Sequence, residues 1–355
     1  MHVTLPLRTR ARRVFADSPL AGPLLTLLVT FTLFVIFIPN FGTWRTFSGI
    51  LSAVSISGFV TIGITLLMIG GEFDLSVSPM VAMAGYLFGA VSVGADSVII
   101  ERLASLGLPV AEGNIVIAVL LALTAPALMG LVNGLILVWT GIPSFIVTLG
   151  TRQIYRGLVW IVAGGVLLQT LERPAIYQVL NGRFDFINNL SFFEGANFRT
   201  TTVWLLIVTV VVQLILVRTR FGNQVFAVGG QPDAARTQGV RTKRVKVMMY
   251  VVVGVLSGIA GIISFSQFHS VRVAEAAGVE LTAIAAAVVG GALLKGGWGS
   301  IWGALVGIVM INMLRSGVIL LDISFIPADN FPAVVGVTII GAAILNDYLR
   351  NRSTS

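Results

Sequence analysis

Charged residues fall into short clusters along this chain, separated by long apolar runs. None occurs from Thr46 to Gly71, and none from Leu75 to Ala95. A helix needs about 20 mostly apolar residues to cross the hydrocarbon core of a bilayer. Ten stretches approach that length, near 20–39, 48–70, 76–95, 115–139, 144–163, 201–217, 247–267, 280–294, 298–315 and 331–347. They do not alternate apolar and polar residues as barrel strands would. The pattern predicts an all-α polytopic membrane protein with about ten transmembrane helices.

Two stretches fit less well. That at 280–294 is short and rich in small residues, which let helix backbones approach closely. That at 144–163 carries Arg152 and Arg156, four apart and so on one helix face. Intramembrane charges are costly and normally face the bundle interior or water. The two arginines suit either an ion-pair network between helices or the lining of a substrate path.

Composition narrows the class. Of 355 residues, 56% are hydrophobic and 11% charged, against about 25% charged in soluble domains. Cysteine is absent, which excludes disulfides, thiolate catalysis and cysteine metal sites. His2 and His269 are the only histidines, and neither has partners at a metal-ligand spacing. No convergent carboxylate pair or histidine cluster marks an intramembrane enzyme. Arg8, Arg10, Arg12 and Arg13 precede the first apolar run without a cleavage site behind it, so that run is expected to be retained as a span.

The net charge of +8 is unevenly placed. Residues 218–246 hold seven basic residues against the single acid Asp233, and Arg350 and Arg352 lie near the C-terminus. The loop from Asp96 to Glu112 holds three acids and one arginine. Ten spans put both termini and the 218–246 segment on one side, which the positive-inside rule assigns to the cytoplasm. The basic excess orients the chain and is no nucleic-acid footprint. The expected organisation is a basic cytoplasmic N-terminus (1–19), one transmembrane domain (20–347) with a cytoplasmic loop at 218–246, and a cytoplasmic tail (348–355).

A short internal echo suggests a repeat. Residues 71–85, GEFDLSVSPMVAMAG, can be laid over 277–291, AGVELTAIAAAVVGG, so that Asp74 meets Glu280 and Ser76 meets Thr282. By the topology above the two copies turn on opposite sides, the pattern of inverted-repeat transporters, whose substrate path lies between the repeats. The acid-Leu-hydroxyl triplets equally suit helix capping. Asn133 and Asn312 are lone amides in their spans and need partners there. Asp74, Ser76, Asn133, Glu280, Thr282 and Asn312 are accordingly the candidates for a translocation path, with interhelical hydrogen bonding the plainer role for each amide.

Within 218–246, Asp233 can start a short helix through Ala234, Ala235 and Arg236 that Gly239 ends. A compact element between glycine breaks is something a soluble partner can grip. The chain lacks a GxxxxGK[ST] nucleotide loop, so any ATPase must be another polypeptide.

Four motifs in family order, GGEFDLSVSP, GLVNGLILVWTGIPSFIVTLGT, FGNQVFAVGGQPDAARTQGVRTKRVKVMMY and ELTAIAAAVVGGALLKGGWGSIWGALVG, resemble the ribose-type permeases of bacterial ABC importers over roughly residues 48–346. The resemblance implies an inner-membrane subunit with ten helices and inverted halves, like the vitamin B12-type importer. It implies a second permease copy, identical or paralogous, a cytoplasmic ABC ATPase that binds ATP and Mg, and a periplasmic sugar-binding protein; this chain itself would bind no cofactor. The family's coupling element falls on Gly229, Gly230, Ala234, Ala235, Arg236 and Gly239. Its first-half motif is commonly GGIDLSVGS, so Glu72 is an addition here. The implied function is the translocation path for a monosaccharide or related sugar; the alternative is an ATP-independent transporter or channel for a small polar solute, which would have no use for an ordered cytoplasmic docking element.

Overall fold

The computed structural model describes residues 20–95, 97–165, 167–321, 331–338, 340 and 341. The basic N-terminus (1–19, with His2 and its arginines), the tail (348–355, with Arg350 and Arg352) and the last expected span beyond 341 lie outside the described residues.

Helices stand at the positions of the apolar runs, with shorter helices in the segments between them. They are α1 (Ala21–Phe37), α2 (Trp44–Ile69), α3 (Val77–Val93), α4 (Val98–Ser105), α5 (Ile115–Thr140), α6 (Ser144–Ala163), α7 (Ala175–Asn181), α8 (Asp185–Asn188), α9 (Thr200–Arg218), α10 (Arg220–Gly230), α11 (Pro232–Thr237), α12 (Thr242–Phe268), α13 (Val279–Val289) and α14 (Ile301–Leu321), with helix again at 331–338. Five of them, α2, α5, α9, α12 and α14, are each long and apolar enough to cross a membrane. The stretch at 280–294 is corrected: α13 has 11 residues and ends at Gly290. At 1.5 Å per residue it is about 17 Å long, roughly half of the ~30 Å core.

Capping residues set the boundaries. Thr43 and Asn114 accept the backbone N–H of Thr46 and Ile117 at the starts of α2 and α5, supplying orphan donors with a partner. Gly94, Gly141 and Gly164 end α3, α5 and α6 in the left-handed conformation, where glycine carries no Cβ penalty.

The centre of the fold is α2, α3 and α12, which are buried along most of their length. On one flank α3 packs against α5 and α6; on the other, α2 packs against α9, α13 and α14. The α5–α12 seam closes through small residues from both sides. A Cβ at Gly130 would collide with the Tyr250 carbonyl, and one at Gly254 with that of Pro126. At Gly134 and Gly258 it would come within 2.9 Å of Val247 Cα and 2.7 Å of the Ala122 carbonyl. Each helix thus offers a small-xxx-small pair to the other.

Where α12 ends, a two-stranded ribbon pairs β1 (Leu168–Gln169) with β2 (Ser270–Val271). The segment 218–246 lies at the other end of α12. These two ends are called the far end and the basic end below.

Candidate functional site

At the basic end three glycine-bearing turns meet. Helices α2 and α13 finish in the same way. Gly70 and Gly290 donate to the carbonyls of Leu66 and Ala286, Gly71 and Gly291 to those of Met68 and Val288, and the following residues to Leu67 and Ala287. Gly71 and Gly291 have φ of 79° and 89°, and the 6→1 and 5→2 bonds are those of a Schellman cap. The third element is α10, which Thr219 caps and whose Gly222, Val225, Val228 and Gly229 are buried.

The packing admits no side chains. A Cβ at Gly229 would fall on the Ile69 carbonyl oxygen and come within 2.8 Å of Gly297 N. One at Gly296 would lie 2.7 Å from Gly229 O and 2.8 Å from Gly71 Cα. The Gly297 N–H donates to the Ile69 carbonyl at 2.8 Å. The end of α2, the end of α10 and the turn after α13 are joined main chain to main chain.

Beyond this junction stands α11. Ala234, Arg236 and Gly239 are exposed, while Ala235 is buried. Gly239, at φ 83°, donates to Arg236 and closes the helix. The six residues carried by the coupling motif thus separate into Gly229 and Gly230, which form the junction, and Ala234 to Gly239, which form the projecting turn.

The six path candidates also separate. Asp74, Ser76 and Asn133 form one buried network. Asp74 Oδ1 accepts from Ser76 N (2.7 Å) and Ser76 Oγ (2.6 Å). Asn133 Nδ2 donates to Asp74 Oδ2 (3.2 Å) and Ser76 Oγ (2.8 Å). The Tyr155 hydroxyl lies 2.7 Å from the Met129 carbonyl and 2.9 Å from Asn133 Oδ1, sharing one proton between two acceptors. Capping and interhelical bonding coincide here: Asp74 precedes α3, and Asn133 and Tyr155 tie in α5 and α6. Tyr155 carries no signal of its own in the sequence beyond its place between Arg152 and Arg156.

Glu280 lies within the first turn of α13, whereas Asp74 stands three residues ahead of α3, so the two acids occupy different local settings. Its buried carboxylate pairs with Arg152 Nη2 on α6, an ion pair without hydrogen-bond geometry, since neither carboxylate oxygen makes a hydrogen bond among the described residues. Arg156 makes no ion pair among the described residues.

Thr282 and Asn312 face elsewhere, into a cavity of about 710 Å³ at the far end. Its walls come from the start of α2, the end of α12, the turn before α13, α14 and residues 331–336. Polar groups converge there. Gln267 Nε2 donates to Ser52 Oγ (3.3 Å), Asn312 Nδ2 to Ser57 Oγ (3.3 Å) and Ser264 Oγ to Glu275 Oε1 (3.3 Å). Gln267 Oε1 makes no hydrogen bond among the described residues. Arg315 stacks over the Phe331 ring at 5.6 Å, and Phe268 adds an aromatic surface. A set of hydroxyls, amides and aromatic faces in a cavity this size fits a small polar solute. Sequence reading passed over Gln267 and the serines, although Ser48, Ser52 and Ile56 stand at helical spacing on α2.

Residues 46–343 match the family described as branched-chain amino acid transport system / permease component. The chain is 33% identical over 332 residues to the L-arabinose transport system permease protein AraH of Escherichia coli (strain K12), covering 92% of this chain and 90% of that protein. It is 30% identical over 347 residues to the ribose import permease protein RbsC of Bacillus subtilis (strain 168), covering 97% and 98%. To the autoinducer 2 import system permease protein LsrC of Yersinia enterocolitica serotype O:8 / biotype 1B it is 30% identical over 329 residues, covering 92% and 82%. No solved structure matches the chain.

Proposed function

From the premise that the chain belongs to the branched-chain amino acid transport system / permease component family, we propose that it forms the translocation path of a bacterial ABC importer for a monosaccharide or related sugar. The similar proteins that transport arabinose, ribose and autoinducer 2 support a sugar-like cargo over an amino acid. The basic excess at 218–246 supports an inner-membrane orientation with the basic end and both termini in the cytoplasm.

ATP and Mg belong to a separate cytoplasmic ATPase that grips α11. A second permease copy completes the path, and a periplasmic binding protein delivers sugar to the far end. The observation that carries this reading is the glycine junction. The end of α10, which leads into the exposed turn α11, packs main chain to main chain against the end of α2 and against Gly296 and Gly297 of the turn after α13, so force applied at α11 reaches both halves of the chain.

In this mechanism ATP-driven closure of the ATPase pair displaces α10 and α11, and the caps of α2 and α13 move with them. Those two helices wall the far-end cavity, whose Ser52, Gln267, Thr282 and Asn312 meet the sugar. The network of Asp74, Ser76, Asn133 and Tyr155, with Glu280 and Arg152, holds α3, α5, α6 and α13 in register during the movement.

The test is reconstitution in proteoliposomes with the ATPase and binding protein encoded beside this chain, using radiolabelled L-arabinose and ribose. Uptake that needs ATP and all three components is the expected result. Uptake by this chain alone, indifferent to ATP, overturns the proposal.

A further inference from the structure

Glu72, the residue by which GGEFDLSVSP departs from the usual first-half motif, is buried directly behind the cap of α2. Its N–H closes that cap on Leu67. Its carboxylate pairs with Lys246 Nζ in the second turn of α12. The next residue is held just as closely, for Phe73 N donates to Ser144 Oγ at 3.1 Å and the Phe73 carbonyl accepts from the Tyr250 hydroxyl at 2.8 Å. Lys246 and Tyr250 are four apart and share one face of α12. A cavity of about 310 Å³ adjoins the ion pair, and Arg236 of α11 and Lys243 line it together with Glu72 and Lys246.

We propose that Glu72 is a positioning residue for coupling: its ion pair with Lys246 fastens the α2–α3 turn to the start of α12, so that movement of the α11–α12 segment is passed to the turn that leads into α3. The glycine junction holds the tip of the α2 cap, where Gly70 packs on Met249 of α12, and leaves the residues after Gly71 to other contacts. The ion pair and the Phe73–Tyr250 bond attach those residues to α12, and the Phe73–Ser144 bond attaches them to α6. The space beside the pair, open toward Arg236, leaves the carboxylate room to follow the cationic segment when it shifts. The inference rests on the permease reading above.

The absence of cysteine makes a direct test available. Spin labels at Asn197→Cys and Ala277→Cys, both in the far-end cavity wall, report its width in the complex with the neighbouring ATPase in nanodiscs. The label–label distance is measured by pulsed electron resonance before and after trapping with ATP and vanadate, and melting temperature is recorded alongside. A distance change is expected in the parent, lost in Glu72→Gln and in Lys246→Met, and restored to at least half by the charge-swapped pair Glu72→Lys/Lys246→Glu. A full change persisting in both single variants overturns the proposal. So does a swapped pair that melts like the parent without regaining the change. A parent that shows no change overturns the permease reading and the latch with it.

Discussion

A carboxylate taken out of water needs compensating donors or charge, and the three buried acids among the described residues obtain them differently. Asp74 collects hydrogen bonds from Ser76 and Asn133, Glu72 pairs with Lys246, and Glu280 depends on Arg152. Removing one partner of a buried pair leaves the other charge stranded, at a cost of about 3–5 kcal/mol. Arg152→Ala should therefore lower the stability of the purified protein by that order in a denaturant titration in detergent, and Arg152→Ala/Glu280→Gln should recover most of the loss. A gentler effect is expected at Tyr155, where Tyr155→Phe removes one shared proton and should cost about 0.5–1.5 kcal/mol by the same titration.

The packing of one helix on another is set at the α5–α12 seam, where main chain meets main chain. Gly254→Val would drive a side chain into the Pro126 carbonyl; overpacking of this kind costs about 1–3 kcal/mol or more. The variant should show a lower melting temperature and a lower yield of monodisperse protein on size-exclusion chromatography, whereas Gly157→Ala, with open space around it, should match the parent. The positions of the helices were legible in the sequence because uncharged runs of spanning length have few other uses. Their lengths were less so: α13 stops at Gly290 because a Schellman cap intervenes, and a stretch of small residues gives no sign of where such a cap will close. The short helix α11 was readable from Asp233 and Gly239, but α10 was not, its helical spacing of Gly222, Val225 and Val228 hidden by glycine. Of the path candidates, chain order alone could not tell that Thr282 and Asn312 face one cavity while Asp74, Ser76 and Asn133 face each other. That division depends on which way each helix is turned, and α13 and α14 are turned by packing on α2, far away in sequence.

Taken as a whole, the molecule keeps its polar cavity and its docking turn at opposite ends of the same helices. On the transport reading, filling the cavity should block passage without disturbing the docking end. Gln267→Trp is expected to reduce ATP-dependent sugar uptake in proteoliposomes at least tenfold, while pull-down of the ATPase by the variant stays at the parent level. The junction that links the two ends has a mechanical consequence. Gears meshed through soft teeth have play, and small turns of the drive are lost before the driven wheel stirs. Side chains are such teeth, because they can hop between rotamers and absorb a displacement. Gly71, Gly229, Gly296 and Gly297 have none, so on the transport reading this linkage runs without backlash: α2 and α13 start and stop together, and the far end has no intermediate setting in which only one wall has moved.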